Sequence, residues 1–222
     1  MTSITEQGRA FYDAVPHEVP DWEGSLFSLL EDAARLYPDR AALDYFGAAI
    51  TYRQVLEQVE RAASALVGAG VGRGDVVAVA LPNCPQAFVV FYACMRIGAV
   101  AAQHNPLAPD PEVRGQLGRH KGRVAVVWEK CAHVYAEAGV ATVFTVDISA
   151  HMPASQRLLL RLPVRRARES RGQLRGDAPT GSRSWDRAVA QAAPLPASYP
   201  RPGAGDVAVI LHTSGTNGVP KS

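Results

Sequence analysis

The chain lacks the features that mark secreted, membrane-spanning and nucleic-acid-binding proteins. Its 222 residues carry a formal net charge of only +2, so charge indicates neither a nucleic acid nor a general acidic partner. The N-terminus has no apolar segment of the kind found in secretory signals. The longest apolar run, residues 87–102, is interrupted by Arg96 and Gly98 and is shorter than the roughly 18–20 residues of a bilayer span. We expect a cytoplasmic protein in which this run forms a buried helix and a buried strand.

Cysteine is also scarce. Cys84, Cys94 and Cys131 form no C-x-x-C pair, and three thiols cannot all pair with one another. The sequence therefore predicts neither a zinc site of the cysteine type nor a disulfide framework, and it fits a reducing compartment. Hydrophobic residues make up 47% of the chain and charged residues 20%, which is ordinary globular composition with ample material for a core.

Alternating helix and strand patterns follow an N-terminal arm, residues 1–24. Apolar residues at helical spacing predict helices over residues 26–37, 52–68, 111–120 and 130–138, and a helix that ends at Gly98. Short apolar runs predict strands over residues 41–46, 50–51, 76–81, 99–102, 124–128 and 142–146. Strand 76–81 has no polar alternation, as in a parallel sheet covered on both faces. The predicted fold is α/β, with mostly parallel sheets flanked by helices.

Two local signals refine this pattern. Thr51 and Gln54 have the spacing of a capping box, which predicts a helix start at that point. Gly68, Gly70 and Gly72 resemble part of a dinucleotide-binding loop, but they follow a helix and precede a strand, the reverse of that motif's context. They are interpreted as a helix C-cap and turn.

The last thirteen residues contain the strongest functional signal. An apolar strand that ends at Leu211 leads through His212 into a loop rich in hydroxyls and glycine that carries one lysine. Its glycines allow successive backbone N–H groups to point at one anion, and its hydroxyls and lysine add neutral and positive donors. The loop predicts a triphosphate-binding site formed by Thr213, Ser214, Gly215, Thr216, Asn217, Gly218 and Lys221.

Two kinds of phosphate-binding loop are alternatives for the segment Thr213 to Ser222. A Walker A loop requires glycine immediately before the lysine, where Pro220 stands and removes a donor N–H. The segment instead resembles the signature T-S-G-[ST]-T-G-x-P-K-G of the AMP-forming adenylate enzymes, which include acyl-CoA synthetases, luciferases and peptide-synthetase adenylation domains. Seven of its nine defined positions match, and Asn217 and Ser222 depart from it. The remaining alternative is a glycine-rich tail without function.

The same family resemblance extends over residues 22–222. The segment 74–83, the run Arg96 to Val100 and the turn Asn105 to Leu107 look like the first subdomain of an acyl-CoA synthetase, and they are most similar to bacterial long-chain fatty-acid–CoA ligases. The resemblance implies a two-step ligation. A carboxylic acid attacks ATP to form an acyl-adenylate and pyrophosphate, and coenzyme A then takes the acyl group. It also implies Mg²⁺ as a cofactor.

The resemblance places the Mg²⁺ ligand, the acyl pocket and the catalytic lysine beyond residue 222. We therefore expect no catalytic residue within the chain and no activity from the chain alone. The predicted organisation is an arm over residues 1–24, an α/β subdomain over 25–150, a basic insertion rich in proline and glycine over 151–205, and the strand and phosphate loop over 206–222. The alternative is a truncated, non-catalytic chain that acts at most as a nucleotide-binding or interaction module.

Positive charge is concentrated in one segment. Residues 155–175 contain seven arginines against Glu169 alone, a local charge of +6 in a chain of net charge +2. Leucines interleave with the arginines, so one interpretation is a basic amphipathic element that contacts an anionic membrane, although Pro163 interrupts it. The alternative is a solvated basic insertion that leads into a loop over residues 172–184. Nucleic acid is disfavoured because only Trp185 is near enough to stack on a base.

Two histidines follow predicted strands. His104 and His212 each lack a neighbouring carboxylate or second ligand in the sequence, so both are interpreted as ordinary structural histidines.

Overall fold

A computed structural model describes residues 24–212 of the chain. Almost all of the predicted N-terminal arm and the whole of the predicted phosphate loop from Thr213 to Ser222 lie outside the described residues. Within them, a six-stranded parallel sheet forms the centre, in the order β7-β6-β5-β3-β4-β8. Its strands are β3 (Val76–Ala80), β4 (Val100–Gln103), β5 (Val124–Trp128), β6 (Thr142–Val146), β7 (Arg183–Ser184) and β8 (Val209–Leu211). The α/β fold class with a mostly parallel sheet is confirmed.

A small antiparallel hairpin precedes the main sheet. Its strands are β1 (Ala41–Tyr45) and β2 (Ala48–Thr51). Phe46 and Gly47 both have positive φ angles, 55° and 87°, which suits the tight turn between the strands. The predicted strand and its short return are therefore present, but the first strand ends one residue earlier and the return begins two residues earlier than expected.

The helices cover both faces of the main sheet. They are α1 (Leu26–Leu36), α2 (Tyr52–Gly68), α3 (Pro85–Ile97), α4 (Asp110–His120), α5 (Ala132–Glu137), α6 (Ala154–Arg161), α7 (Arg165–Leu174) and α8 (Trp185–Gln191), and a 3₁₀ turn (Glu129–Cys131) precedes α5. Most of the predicted helices are confirmed to within one or two residues. The predicted helix 130–138 is instead a 3₁₀ turn followed by a short α-helix, and α8 was not predicted.

The predicted capping box and the predicted glycine-rich helix end are both present. The Thr51 hydroxyl accepts from Gln54 N–H at 3.3 Å, and the Gln54 side chain accepts from Thr51 N–H at 2.9 Å, so both bonds of the capping box are present at the start of α2. Helix α2 ends at Gly68, and Gly70 follows with a φ of +86°. The glycine-rich stretch is therefore a helix end and turn, as predicted.

Side chains along β3 alternate between two apolar layers. Val77 and Val79 pack on the side of α1, α2 and α3, whereas Ala78 and Ala80 pack on the side of α4 and α5. All four are at most 1% exposed. The continuous apolar run of residues 76–81 thus reflects a central strand that is covered on both faces.

Residues 151–205 pack against this core at several points. Trp185, 1% exposed, lies against Phe144 of β6 with ring centroids 5.4 Å apart, so it is not available to stack on a nucleic-acid base. Arg175 binds Glu129 through two nitrogens, at 2.7 and 3.0 Å, and binds Asp147 through a third. The predicted loop over residues 172–184 was too long, because residues 172–174 complete α7 and residues 183–184 form β7. Proline 163 does separate two helices, as the sequence indicated.

No helix among residues 24–212 has both the length and the apolar character needed to cross a bilayer.

Candidate functional site

The connections of β3 and β4 leave the sheet on opposite faces. Helix α3, which follows β3, contributes Val89 and Val90 to one apolar layer, and helix α4, which follows β4, contributes Val113 and Leu117 to the other. In open parallel sheets, ligands bind outside the carboxyl ends of adjacent strands whose connections run in opposite directions along the sheet. The expected position of a ligand site is therefore at the carboxyl ends of β3 and β5, because the connection from β3 to β4 and the connection from β5 to β6 run in opposite directions. Strand β4 is parallel to β3 and ends at the same edge of the sheet.

Strand β8 reaches this same edge. It pairs in parallel with β4, with Ala101 opposite Val209 and Gln103 opposite Leu211. The register continues one residue further, so His104 and His212 are neighbours with ring centroids 5.2 Å apart. The predicted phosphate loop begins at Thr213, immediately after this point. The structure thus brings the strand that precedes the loop to the ligand-binding edge of the sheet.

A third histidine joins the pair on the α4 and α5 side of the sheet. His120, the last residue of α4, places its Nε2 atom 2.8 Å from His104 Nε2. Its ring centroid is 5.0 Å from that of His104 and 6.0 Å from that of His212. His104 is buried, and His120 and His212 are half-buried. We call these three residues the histidine cluster.

The hydrogen bonds around the cluster define the positions of its protons. Gly122 N–H donates to His120 Nδ1 at 3.0 Å, so neutral His120 carries its own proton on Nε2. That proton is donated to His104 Nε2, and His104 in turn donates from Nδ1 to the Tyr135 hydroxyl at 2.9 Å. Gly122, His120, His104 and Tyr135 therefore form one continuous chain of hydrogen bonds.

The surroundings of all three histidines disfavour their charged form. Burial, together with His120, His212 and Arg119, lowers the pKa of His104 to about 3. Burial and the nearby His212 and Arg119 lower the pKa of His120 to about 4, although a backbone hydrogen bond opposes the shift. The pKa of His212 is also lowered, first by burial and then by Arg119. Neutral imidazoles at physiological pH can accept hydrogen bonds or bind a metal ion.

The sequence places no second ligand near His104 or His212, whereas the structure makes the two residues neighbours. Their interpretation as ordinary structural histidines stays a prediction. Each is the first residue after a parallel strand, and the strands prove to be neighbours although they are about a hundred residues apart in the sequence. His120 and Tyr135 were not predicted as members of any site. The only sequence signal available was the position of His104 and His212 at strand ends, and it becomes informative only when the strand order is known.

The basic segment forms a helical hairpin at the surface. Helices α6 and α7 enclose an open groove of about 580 Å³ whose lining is mainly apolar and includes Phe46, Leu159, Leu162 and Val164. Most of the arginines of the hairpin are exposed. We call residues 154–174 the basic hairpin.

Comparison with known proteins agrees with this architecture. A family model described as AMP-binding enzyme matches residues 30–222. The long-chain-fatty-acid–CoA ligase of Bacillus subtilis (strain 168) is 26% identical over 211 residues, which cover 93% of this chain and 37% of that protein. The salicyl-AMP ligase/salicyl-S-ArCP synthetase of Mycobacterium tuberculosis is 32% identical over 209 residues, which cover 90% of this chain and 33% of that protein.

The solved structures agree on the fold. The crystal structure of an anthranilate CoA ligase in complex with anthranoyl-AMP superposes with a TM-score of 0.71 at 19% identity, and the match covers 91% of this chain and 34% of that one. The chain therefore spans about a third of the length of the relatives that it matches. These matches confirm the resemblance that was drawn from the loop and the framework residues.

Proposed function

Because the chain belongs to the family of AMP-binding enzymes, we propose that it is the N-terminal part of an ATP-dependent, AMP-forming acid–CoA ligase. The observation that supports the proposal most is the course of β8, which ends at the ligand-binding edge of the sheet one residue before the loop of Thr213 to Ser222. The protein would activate a carboxylic acid with ATP and transfer the acyl group to coenzyme A.

In this proposal the loop binds the β- and γ-phosphates of ATP. Thr213, Ser214, Thr216 and Asn217 would donate hydrogen bonds from their side chains, and Gly215 and Gly218 would allow backbone N–H groups to approach. Lys221 would stabilise the charge that develops on the departing pyrophosphate. None of these residues recognises the acid. Mg²⁺ would reduce the repulsion between the phosphates.

The substrate we propose is a long-chain fatty acid. The name of the Bacillus subtilis relative specifies such a substrate, whereas the name of the Mycobacterium tuberculosis relative specifies salicylate. The described residues contain nothing that we identify as an acyl pocket, so the choice of acid depends on the relatives.

The experiment is an ATP–pyrophosphate exchange assay with the protein encoded by the whole reading frame of the gene. Fatty acids of several chain lengths are compared with benzoate and salicylate. Exchange that depends on a fatty acid supports the proposal, and exchange with an aromatic acid alone retains the ligase but changes its substrate. Absence of exchange with every acid, combined with retained ATP binding, would favour the non-catalytic nucleotide-binding module. Residues 1–222 alone should give no exchange.

We also propose that the basic hairpin contacts the surface of an anionic membrane. Leu158 and Leu159 are 64% and 59% exposed, and exposed arginines flank them. Apolar side chains that enter the headgroup region and arginines that attract anionic lipids are the two contributions to such binding. Contact with a membrane would suit a lipid substrate.

Sedimentation with vesicles tests this second proposal. We expect binding to phosphatidylglycerol vesicles that declines with added salt and is weak with phosphatidylcholine alone. Leu158→Ser and Arg165→Gln should each reduce it, whereas Leu36→Ser, on an exposed leucine of α1, should not. Equal binding by all three variants would contradict a role for the basic hairpin.

A further inference from the structure

The histidine cluster brings three potential metal ligands together from three separate elements. His104 follows β4, His120 ends α4 and His212 follows β8, and one ring nitrogen of each lies within 4.8 Å of the others. The phosphate-binding function proposed above does not involve these rings. They therefore require an explanation of their own.

We propose that His104, His120 and His212 bind a transition-metal cation of the Zn²⁺ class. Imidazole nitrogen suits Zn²⁺, Co²⁺, Ni²⁺ and Cu²⁺, whereas Mg²⁺ and Ca²⁺ prefer oxygen ligands, so this site is distinct in chemistry from a nucleotide-bound Mg²⁺. Three histidines leave one position of a tetrahedral Zn²⁺ open to water or to another small ligand. This inference does not depend on the proposed ligase activity.

The state of His212 is the first argument for the site. Both of its ring nitrogens are buried, and neither has a hydrogen-bond partner among residues 24–212. Buried polar atoms in proteins are nearly always paired, because an unpaired one loses its hydration without compensation. A metal ion between His212 and His104 would occupy one of these nitrogens.

The second argument is that one ligand is already oriented. His104 donates from Nδ1 to the Tyr135 hydroxyl, so the lone pair of Nε2 points toward His120 and the interior of the cluster. Metal-binding histidines commonly donate their other ring N–H to an oxygen in this way. Tyr135 is buried and thus maintains the orientation of the His104 ring.

To bind a metal ion, His120 must carry its proton on a different ring nitrogen. In the metal-free arrangement its Nε2 proton occupies the position that the cation would take. On binding, that proton moves to Nδ1, the Gly122 N–H bond to Nδ1 is lost, and the total number of protons stays the same. The two Nε2 atoms must also separate by about half an ångström, since nitrogens bound to one tetrahedral Zn²⁺ lie roughly 3.3 Å apart.

The positive charge of Arg119 opposes binding of a cation. Arg119 acts on all three rings electrostatically, whereas Glu112 acts on His212 in the opposite sense. Both residues are exposed on α4. Replacing Arg119 should therefore strengthen metal binding, which is a gain that damage to the fold would not produce.

The test is a titration of the tag-free 222-residue chain with Co²⁺, followed by visible absorption, and then displacement of Co²⁺ by Zn²⁺. We expect one Co²⁺ per chain with the intense bands of a tetrahedral site, and a rise in the thermal unfolding midpoint with added Zn²⁺. His104→Gln and His212→Gln should abolish the bands. Tyr135→Phe should weaken binding about tenfold, and Arg119→Gln should strengthen it about twofold to fivefold.

His133→Gln is the matched control, because His133 is an exposed histidine of α5 that lies outside the cluster. It should bind Co²⁺ as the wild-type chain does. Circular dichroism of each variant without metal shows whether it is folded. The proposal is overturned if the wild-type chain binds no Co²⁺ at one equivalent, or if folded His212→Gln binds it as tightly as the wild-type chain does.

Discussion

Arg96 Nε donates to Glu60 Oε1 at 2.9 Å and joins α3 to α2 within the apolar core. The Arg96 side chain is 1% exposed and that of Glu60 is 20% exposed. The guanidinium also lies between the rings of Phe27 and Tyr199, at 5.5 and 5.7 Å from their centroids. The charge that interrupts the longest apolar run of the sequence is thus held inside the protein by one carboxylate and two aromatic faces.

Removal of the Glu60 carboxylate should destabilise the folded chain. We expect Glu60→Ala to lower the free energy of unfolding by about 3 kcal/mol, because it leaves the Arg96 charge buried without a partner. Glu57→Ala, on the same helix, breaks only the exposed pair with Arg61 and should cost less than about 1 kcal/mol. Urea denaturation measures the free energy of unfolding of both variants. Equal losses would show that Arg96 finds another partner when Glu60 is absent.

Substitution by alanine at two glycines near the end of the basic hairpin should change the free energy of unfolding in opposite directions. A Cβ on Gly176 would lie 2.8 Å from both the N and Cα atoms of Lys130, so Gly176→Ala should lower the free energy of unfolding by about 1–3 kcal/mol. Gly172 lies in α7 with no atom within 4 Å of a Cβ, and Gly172→Ala should raise it by about 0.5–1 kcal/mol. Destabilisation by both variants in urea denaturation would contradict the close approach at Gly176.

The cysteines should be unreactive in the folded chain. Burial raises the pKa of Cys84 to about 11 and the pKa of both Cys94 and Cys131 to about 12, so almost none of these thiols is ionised at pH 8. Because the thiolate is the nucleophile, iodoacetamide should label the native chain about 100-fold or more slowly than the urea-unfolded chain at the same pH. The labelling rate should rise only in strongly alkaline solution. Mass spectrometry identifies any site that labels as fast in the native state as in urea, which would contradict its burial.

The final prediction concerns Lys221 in the protein encoded by the whole reading frame. If its charge stabilises the departing pyrophosphate, Lys221→Ala should reduce acyl-adenylate formation about 100-fold and leave thioester formation from a supplied acyl-adenylate nearly unchanged. Val219→Ala is the matched control, since residue 219 stands at the undefined position of the loop signature. Rates of the two half-reactions are measured separately. Equal losses in both would exclude the pyrophosphate role.

Local sequence signals determined most of the secondary structure and the family. The capping box of Thr51 and Gln54, the unbroken apolar strand 76–81 and the proline between α6 and α7 each act within a few residues, so they can be read without the fold. The loop signature after His212 is likewise local, and it led to the family that the comparisons confirm.

Contacts between residues that are distant in the sequence become visible in the folded structure alone. The order of strands in a parallel sheet depends on how the crossover helices pack, and so the sequence does not show that β8 lies beside β4. That pairing turns His104 and His212 from two isolated residues into neighbours and adds His120 from the end of α4. Helix α8 was also not predicted, because it is too short to be recognised from its own periodicity. Burial of Trp185 against Phe144, a contact between distant residues, stabilises it.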